Sequence, residues 1–363
     1  MVIGLRKIKG MNILFTCAGR RNYLINYFKE ALGGIGKTVA VDSQISAPAL
    51  AEADVSIIVP SIFHPDYIQI LKGIIKDHEI NGVISLNDLE LPVLSKHKKE
   101  LEDCGAKLIV SDKEIIDLAF DKWMTFNFFK DLGIGTPLTY LSIENSLEAI
   151  KLKKLNFPLI LKPRWGTASI GIFEVENEEE LHLSYKLLKL KLAKSILRDI
   201  NLLDIEKCII IQEKIDSDEY GIDILNDFNG KYHDSFVRKK LAMRSGETDK
   251  AVSIIHEEFS NLGRKIGSII GHVGNMDCDF LVRDNKVYFL EMNPRFGGGY
   301  PFSHAAGINI PAIYIAWMRG EKDVSKFNNY LPNLAFSKYE KIMAIRDNYL
   351  VAKSSNEENC NCA

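Results

Sequence analysis

The chain has 363 residues, 46% hydrophobic and 26% charged, with a formal net charge of −2. That composition is ordinary for a globular protein and gives no global attraction to nucleic acid or to a membrane surface. No apolar run approaches the roughly 20 residues needed to span a bilayer, and the length suits two or three packed units in one chain.

Met1 to Gly10 places basic residues after a short apolar start and lacks an apolar core, so it does not read as a secretory signal. Met11 reads as the start of the fold. Asn12–Thr16 is expected as a buried strand and Arg21–Leu32 as a helix. Further strands are expected at 37–42, 55–59, 82–86 and 107–110, with helices at 67–79 and 89–104. Strands alternating with helices imply βαβ units and a parallel sheet. Ligands of such sheets bind beyond the carboxyl ends of the strands. That rule puts Cys17–Arg21, Asp42 and Asn87–Glu90 on one rim.

Two nucleotide motifs fail in this region. The turn Thr16-Cys17-Ala18-Gly19-Arg20-Arg21 has one glycine where the dinucleotide fingerprint needs three. Ala31–Thr38 nearly spells a P-loop, but in the order helix then strand, and reads as a helix C-terminal turn.

From Asp121 the pattern changes. Asp121–Asp131 reads as a helix ended by Gly133. A strand at 159–163 leads through the loop Arg164–Gly171 to a second strand at 172–175. Glu178–Ile200 reads as one amphipathic helix whose lysines are a solvated face. Strands are then expected at 208–212, 219–225 and 231–240, and a helix at 253–271. Residues beyond Glu321 are expected to be peripheral and Ser354–Ala363 disordered. The six cysteines (Cys17, Cys104, Cys208, Cys278, Cys360, Cys362) form no cluster at zinc spacing. They read as reduced thiols of a cytoplasmic protein.

The most informative segment comes late. Glu291-Met292-Asn293-Pro294-Arg295 follows the β-like run 286–290 and precedes the glycine loop 296–300. Asp279 lies 12 residues upstream, in another β-like run, 277–282. Even spacing on neighbouring strands would set Asp279, Glu291 and Asn293 on one sheet face. Such oxygen donors suit Mg²⁺, which takes few protein oxygens and fills its shell with substrate phosphates. Arg295 suits bidentate contact with phosphate oxygens. The plainer alternative is a buried acid paired with Arg295, which leaves Asn293 and the glycine loop unexplained.

This set resembles the metal-binding end of the ATP-grasp superfamily, in particular enzymes similar to the large subunit of carbamoyl-phosphate synthase. The resemblance runs from about Met11 to about Arg319. It implies an ATP-grasp fold of mixed α/β and α+β class. An N-terminal Rossmann-like parallel-sheet domain (11–115) would precede linker helices and a small lid (116–205). A catalytic subdomain (206–325) and a peripheral C-terminal segment (326–363) would follow.

The resemblance also implies roles for individual residues. Asp279, Glu291 and Asn293 would be the metal ligands. Lys122 and Lys162 match the phosphate-binding lysines, and Gly166, Ser169 and Gly171 the glycine-rich flap. Glu213, Lys214 and Ile215, after Gln212, look like the hinge that meets adenine, with Glu219 at the ribose. Arg238, Lys239, Arg244 and Glu247 resemble the strand and loop that reach the acceptor and γ-phosphate. Residues 297–299 and 301–304 resemble the edge of the substrate pocket. Taken alone, several of these are commonplace: Lys122 as a helix-start lysine, Glu213 and Glu219 as surface carboxylates, the 164–171 loop as a plain hairpin.

The implied activity is amide-forming ligation. A small-molecule carboxylate becomes an acylphosphate at the expense of ATP, and an amine displaces phosphate. Lys162, Arg244 and Arg295 are the expected catalytic residues. ATP and Mg²⁺ are the expected cofactors, with Mn²⁺ as a substitute, and the resemblance leaves room for a homodimer. A small-molecule kinase and a non-catalytic nucleotide-binding protein are the alternatives. Neither nucleic acid nor membrane is an expected partner.

Overall fold

The computed structural model describes residues 10–166, 170–345 and 349–352. The N-terminal sheet contains β1 (Asn12–Thr16), β2 (Thr38–Asp42), β3 (Val55–Ile58), β4 (Ile80–Ser85) and β5 (Lys107–Leu108), all parallel, in the order β3-β2-β1-β4-β5. β2 is buried along its whole length, as expected of a strand covered on both faces by crossover helices. The helix Asn22–Leu32 ends at Gly33 in the left-handed region, with φ of 55°. The near-P-loop is therefore a helix stop. The stretch expected as one helix at 89–104 is two, Leu91–Lys96 and Lys98–Glu102, broken at His97.

A small antiparallel sheet follows, with β6 (Thr139–Tyr140), β7 (Leu159–Pro163), β8 (Phe173–Val175) and β9 (Ile209–Glu213) in the order β6-β9-β7-β8. The helix Glu178–Leu192 packs on it through Leu181, Leu188 and Leu192. It stops at Leu192, short of the expected Ile200, and a separate turn of helix covers Arg198–Asn201.

The third sheet is antiparallel, with β10 (Asp218–Asn226), β11 (Tyr232–Arg244), β12 (Glu247–Ile254), β13 (Asn275–Arg283), β14 (Lys286–Asn293) and β15 (Ala335–Ser337) in the order β14-β13-β10-β11-β12-β15. β12 corrects the sequence reading, which had opened a helix at Ser253. The helix is Glu257–Ile270, and Ser253 and Ile254 still belong to the strand. The C-terminal residues lie at sheet edges. β15 pairs with β12, and β16 (Leu350–Val351) pairs in parallel with β3. Ser354–Ala363 lie outside the described residues.

One face of the third sheet packs on the helix Glu257–Ile270 through Ile222, Ile224, Cys278, Phe280 and Phe289. The other face is charged. The N-terminal unit is docked on this sheet by the helix Ile310–Met318, apolar all round and buried from Ile310 to Ala316, as a core helix should be. Phe28 meets Phe296 and Tyr314 edge to face across that junction. This core fixes the rim of the first sheet relative to the charged face of the third.

Candidate active-site cleft

A cleft of about 610 Å³ opens where the three sheets converge. The N-terminal rim supplies Arg21 and Leu86–Leu89. The small sheet and its loops supply Lys162, Pro163 and Gln212–Ile215. The charged face supplies Glu219, Arg238, Lys240, Asp277, Asp279, Glu291, Asn293 and Arg295.

Strand register explains this face. Asp279 pairs with Glu291 and Asp277 with Asn293, so the four side chains share one side of the sheet. Simple alternation does not produce that result. Phe280 pairs with Phe289, leaving Leu290 as an extra residue in β14. Without this bulge Glu291 would follow Phe289 into the core; the one-residue insertion turns Glu291 and Asn293 to the cleft. On β10 and β11, Gly221 lies opposite Arg238. A Cβ on Gly221 would come within 2.8 Å of the guanidinium, and one on Gly299, from the other side, within 2.2 Å of its Nε. Two glycines thus make the slot that holds Arg238.

Arg238 is 1% exposed and bridges two carboxylates, Asp223 at 2.5 Å and Asp277. Ser303 also donates to Asp223, at 2.6 Å. Lys240, two residues on and on the same face, donates to Glu219 at 2.6 Å and to Asp279 at 2.8 Å. Burial pushes the Asp279 carboxyl up to about 7. Lys240 pulls it down, and Asp277, Glu291 and Glu219 push it further up. Arg295 reaches across to the N-terminal rim, where Nη2 donates to Asp88 at 2.6 Å, and Nη1 donates to the Phe296 carbonyl at 3.1 Å.

Lys162, near the end of β7, is 6% exposed. Burial lowers its pKa to about 8, against the pull of Glu291, with Lys122 lowering it further. Lys122 Nζ donates to the Gly166 carbonyl at 2.7 Å. Asp121 caps the helix Lys122–Asp131 and accepts from Arg164 Nη2 at 2.6 Å, tying the residue that follows β7 to that helix. Gly171 adopts a φ of 77°. Ser169 lies outside the described residues.

Glu213 accepts from the Leu138 amide at 3.1 Å, and Lys214 turns out to Glu174. Gln212, Glu213, Lys214 and Ile215 all line the cleft. Ile160, Leu281 and Leu290 add apolar surface nearby.

Of the residues given metal, nucleotide or catalytic roles from the sequence, Lys122, Lys162, Gly166, Glu213, Lys214, Ile215, Glu219, Asp279, Glu291, Asn293 and Arg295 line the cleft. Gly171 is not among the lining residues, and neither is Arg244. It pairs with Glu340 at 3.4 Å with its side chain 61% exposed, because bulges in β11 after Lys240 break the alternation. Lys239 points away as well, pairing with Asp218 at 2.6 Å. Sequence reasoning missed Lys240, Asp277 and Asp223. The signal was available: Arg238 and Lys240, like Asp277 and Asp279, are two apart in strands and must share a face.

The donors fit a divalent ion bound together with phosphates. Among the described residues no group of three or more His, Cys, Asp and Glu side chains is placed to hold a metal by itself. Two carboxylates and an amide, giving one oxygen each, would take half of an octahedral Mg²⁺ shell and leave the rest to other oxygens. Among the described residues no helix is long and apolar enough to cross a membrane, and Cys17, Cys104, Cys208 and Cys278 are free thiols.

Residues 13–109 match the PylC-like N-terminal domain, and residues 119–299 match the ATP-grasp domain. The carbamoyl phosphate synthase large chain of Campylobacter jejuni is 26% identical over 280 residues, 73% of this chain and 24% of that protein. A D-alanine–D-alanine ligase of Helicobacter pylori is 30% identical over 186 residues, 49% of this chain and 51% of that one. The chain thus spans between a quarter and a half of the length of these relatives. In fold it is similar to the biotin carboxylase domain of Hydrogenobacter thermophilus 2-oxoglutarate carboxylase, solved with MgADP, ADP and bicarbonate. The TM-score is 0.69 at 19% identity, over 89% of this chain and 73% of that one. The chain belongs to the ATP-grasp superfamily, carrying a PylC-like N-terminal domain ahead of its ATP-grasp domain.

Proposed function

We propose that this chain is an ATP- and Mg²⁺-dependent ligase that activates a small-molecule carboxylate as an acylphosphate and joins it to an amine, releasing ADP and phosphate. The observation that carries the reading is the pairing of Asp279 with Glu291 on the cleft face, with Lys162 buried within their electrostatic reach.

Asp279, Glu291 and Asn293 would hold Mg²⁺, which when bound neutralises phosphate charge. Lys122 and Lys162 bind phosphate oxygens, and a buried lysine regains its full charge when an anion joins it. The main chain of 213–215 meets the adenine edge, with Ile160, Ile215, Leu281 and Leu290 around the ring. Glu219, shared with Lys240, faces the ribose. Arg295 and Lys162 stabilise the phosphoryl group in flight; positioning and charge neutralisation are most of the work in such a transfer. A carboxylate oxygen attacks the γ-phosphorus and the bond to the ADP oxygen breaks. The amine nitrogen then attacks the acyl carbon, loses a proton, and inorganic phosphate leaves. The glycine-rich flap that the resemblance implies would keep water from the acylphosphate. The units 11–115, 116–205 and 206–325 serve as rim, lid and catalytic floor.

An ADP-release screen of carboxylic acids against amines tests this. ADP formed only when both partners are present supports the ligase. ADP formed with one acceptor alone indicates a kinase. AMP or pyrophosphate as product contradicts the acylphosphate route.

A further inference from the structure

Parallel sheets bind ligands beyond the carboxyl ends of their strands, where the strand order reverses. In the N-terminal sheet that point lies between β1 and β4, since β2 and β3 lie to one side and β5 to the other. Here the chain fills it with its own side chain. Glu90 is fully buried. Its carboxylate accepts from Thr16 Oγ1, at the end of β1, at 2.7 Å, and from Ser85 Oγ, at the end of β4, at 2.6 Å. The Tyr67 hydroxyl donates to it at 2.5 Å. Burial raises the carboxyl's pKa and these hydroxyls pull it back. Three short bonds of this kind from three elements hold a carboxylate firmly.

Glu90 closes the loop whose preceding residues, Asn87, Asp88 and Leu89, line the cleft. Asp88 accepts from Arg295 Nη2, while Nη1 is held by the Phe296 carbonyl. The guanidinium is therefore aimed from both sides of the cleft, by Asp88 on one and by the Phe296 carbonyl and Asp277, 3.9 Å from Nη1, on the other. Only the Asp88 contact depends on the N-terminal unit. We propose that Glu90 is a positioning residue: locked at the switch point, it fixes the Asp88 loop and so directs Arg295 at the terminal phosphate of the nucleotide. This rests on the reading of the cleft as an ATP site.

The test needs no knowledge of the acid or amine. The full chain is titrated with Mg²⁺ plus a non-hydrolysable ATP analogue and, separately, with Mg²⁺ plus ADP. Glu90→Gln should weaken the analogue about tenfold, the scale of one charge-assisted contact, and leave ADP within about twofold. Asp88→Asn should do the same, and the double variant should lose no more than Asp88→Asn alone. Tyr67→Phe, which leaves Glu90 two hydroxyl partners, should show a smaller loss in the same direction. It serves as the test if Glu90→Gln does not fold. A general loss of stability weakens both nucleotides together, so an unchanged analogue-to-ADP ratio in a folded variant overturns the proposal. Additive losses in the double variant overturn it too. A wild-type chain that binds neither nucleotide refutes the ATP-site reading itself, and the proposal with it.

Discussion

Lys240 donates to Asp279 at 2.8 Å, and Asp279 lies directly across the β13–β14 ladder from Glu291. The lysine is a built-in cation beside the proposed metal ligands. Its ammonium is held charged by Asp279 and Glu219 despite burial. Replacing it by methionine leaves both carboxylates without their cation. Removing one partner of a buried pair costs about 3–5 kcal/mol, so Lys240→Met should unfold at a distinctly lower temperature. Millimolar Mg²⁺ should then raise the melting temperature of Lys240→Met more than that of the wild type, because the ion takes over the lysine's charge. Equal Mg²⁺ shifts in thermal denaturation of the two proteins would show that no metal reaches Asp279.

The two displaced pKa values make opposite demands on pH. Lys162, lowered to about 8, is partly neutral in the free protein above that pH. Between about 8 and the unfolded-chain value near 10.4, the unfolded state binds more protons, so stability of the free protein gains with rising pH across this window. Nucleotide phosphates reverse the sign by restoring the lysine's proton. Binding should take up a proton near pH 8 to 9, and nucleotide affinity should fall as pH rises through 8. Asp279, raised to about 7, must lose a proton to accept a metal, so Mg²⁺-dependent affinity should fall as pH drops through 7. Calorimetry in buffers of different ionisation enthalpy reads both. Proton uptake above pH 8 that survives in Lys162→Met would assign it to another group.

Much of the cleft was legible because chemistry and spacing coincided. Asp279, Glu291 and Asn293 fall on strands, and three oxygen-bearing side chains there have few structural reasons to gather. What lay hidden was set by register. The bulge at Leu290 cannot be read from a run that alternates equally well with or without it, though it decides which face Glu291 takes. Lys239 and Lys240 are adjacent and chemically alike, so residue type does not tell them apart. Only counting by two from Arg238 separates them. β12 was missed because Glu247–Ile254 mixes charge with short apolar residues, and its strand character comes from pairing on both sides with β11 and β15. The partner of Arg295 is Asp88, 207 residues away in the chain, a contact that no local pattern announces.

Arg244 should prove dispensable. Its exposed pair with Glu340 is of a kind that contributes little, and its side chain lies outside the cleft. Arg244→Ala is expected to match the wild type in nucleotide affinity and, with a productive acid and amine, in ADP release. Arg238→Ala, by contrast, strands Asp223 and Asp277 and should lose both stability and turnover. Loss of activity in Arg244→Ala with intact nucleotide binding would mean that the β11–β12 turn swings inward during the reaction, against the arrangement seen here.

The Arg238 slot gives a prediction about packing alone. Gly221→Ala places a methyl about 2.8 Å from three guanidinium atoms, while Gly299 packs against the same group. The guanidinium is tied to Asp223 and Asp277, so it cannot retreat without giving up one of them. Overpacking a tight site costs about 1–3 kcal/mol, and Gly221→Ala should lower the unfolding free energy by that order in a denaturant titration. The cause is identified by a double-mutant cycle. In an Arg238→Met background the flat, forked group is replaced by an unbranched, adaptable chain, so the same Gly221→Ala change should cost clearly less. Neighbours in one contact couple in this way, whereas a penalty from backbone conformation alone is additive. An undiminished cost in the Arg238→Met background would assign the glycine to the strand's own geometry and leave the slot without a function.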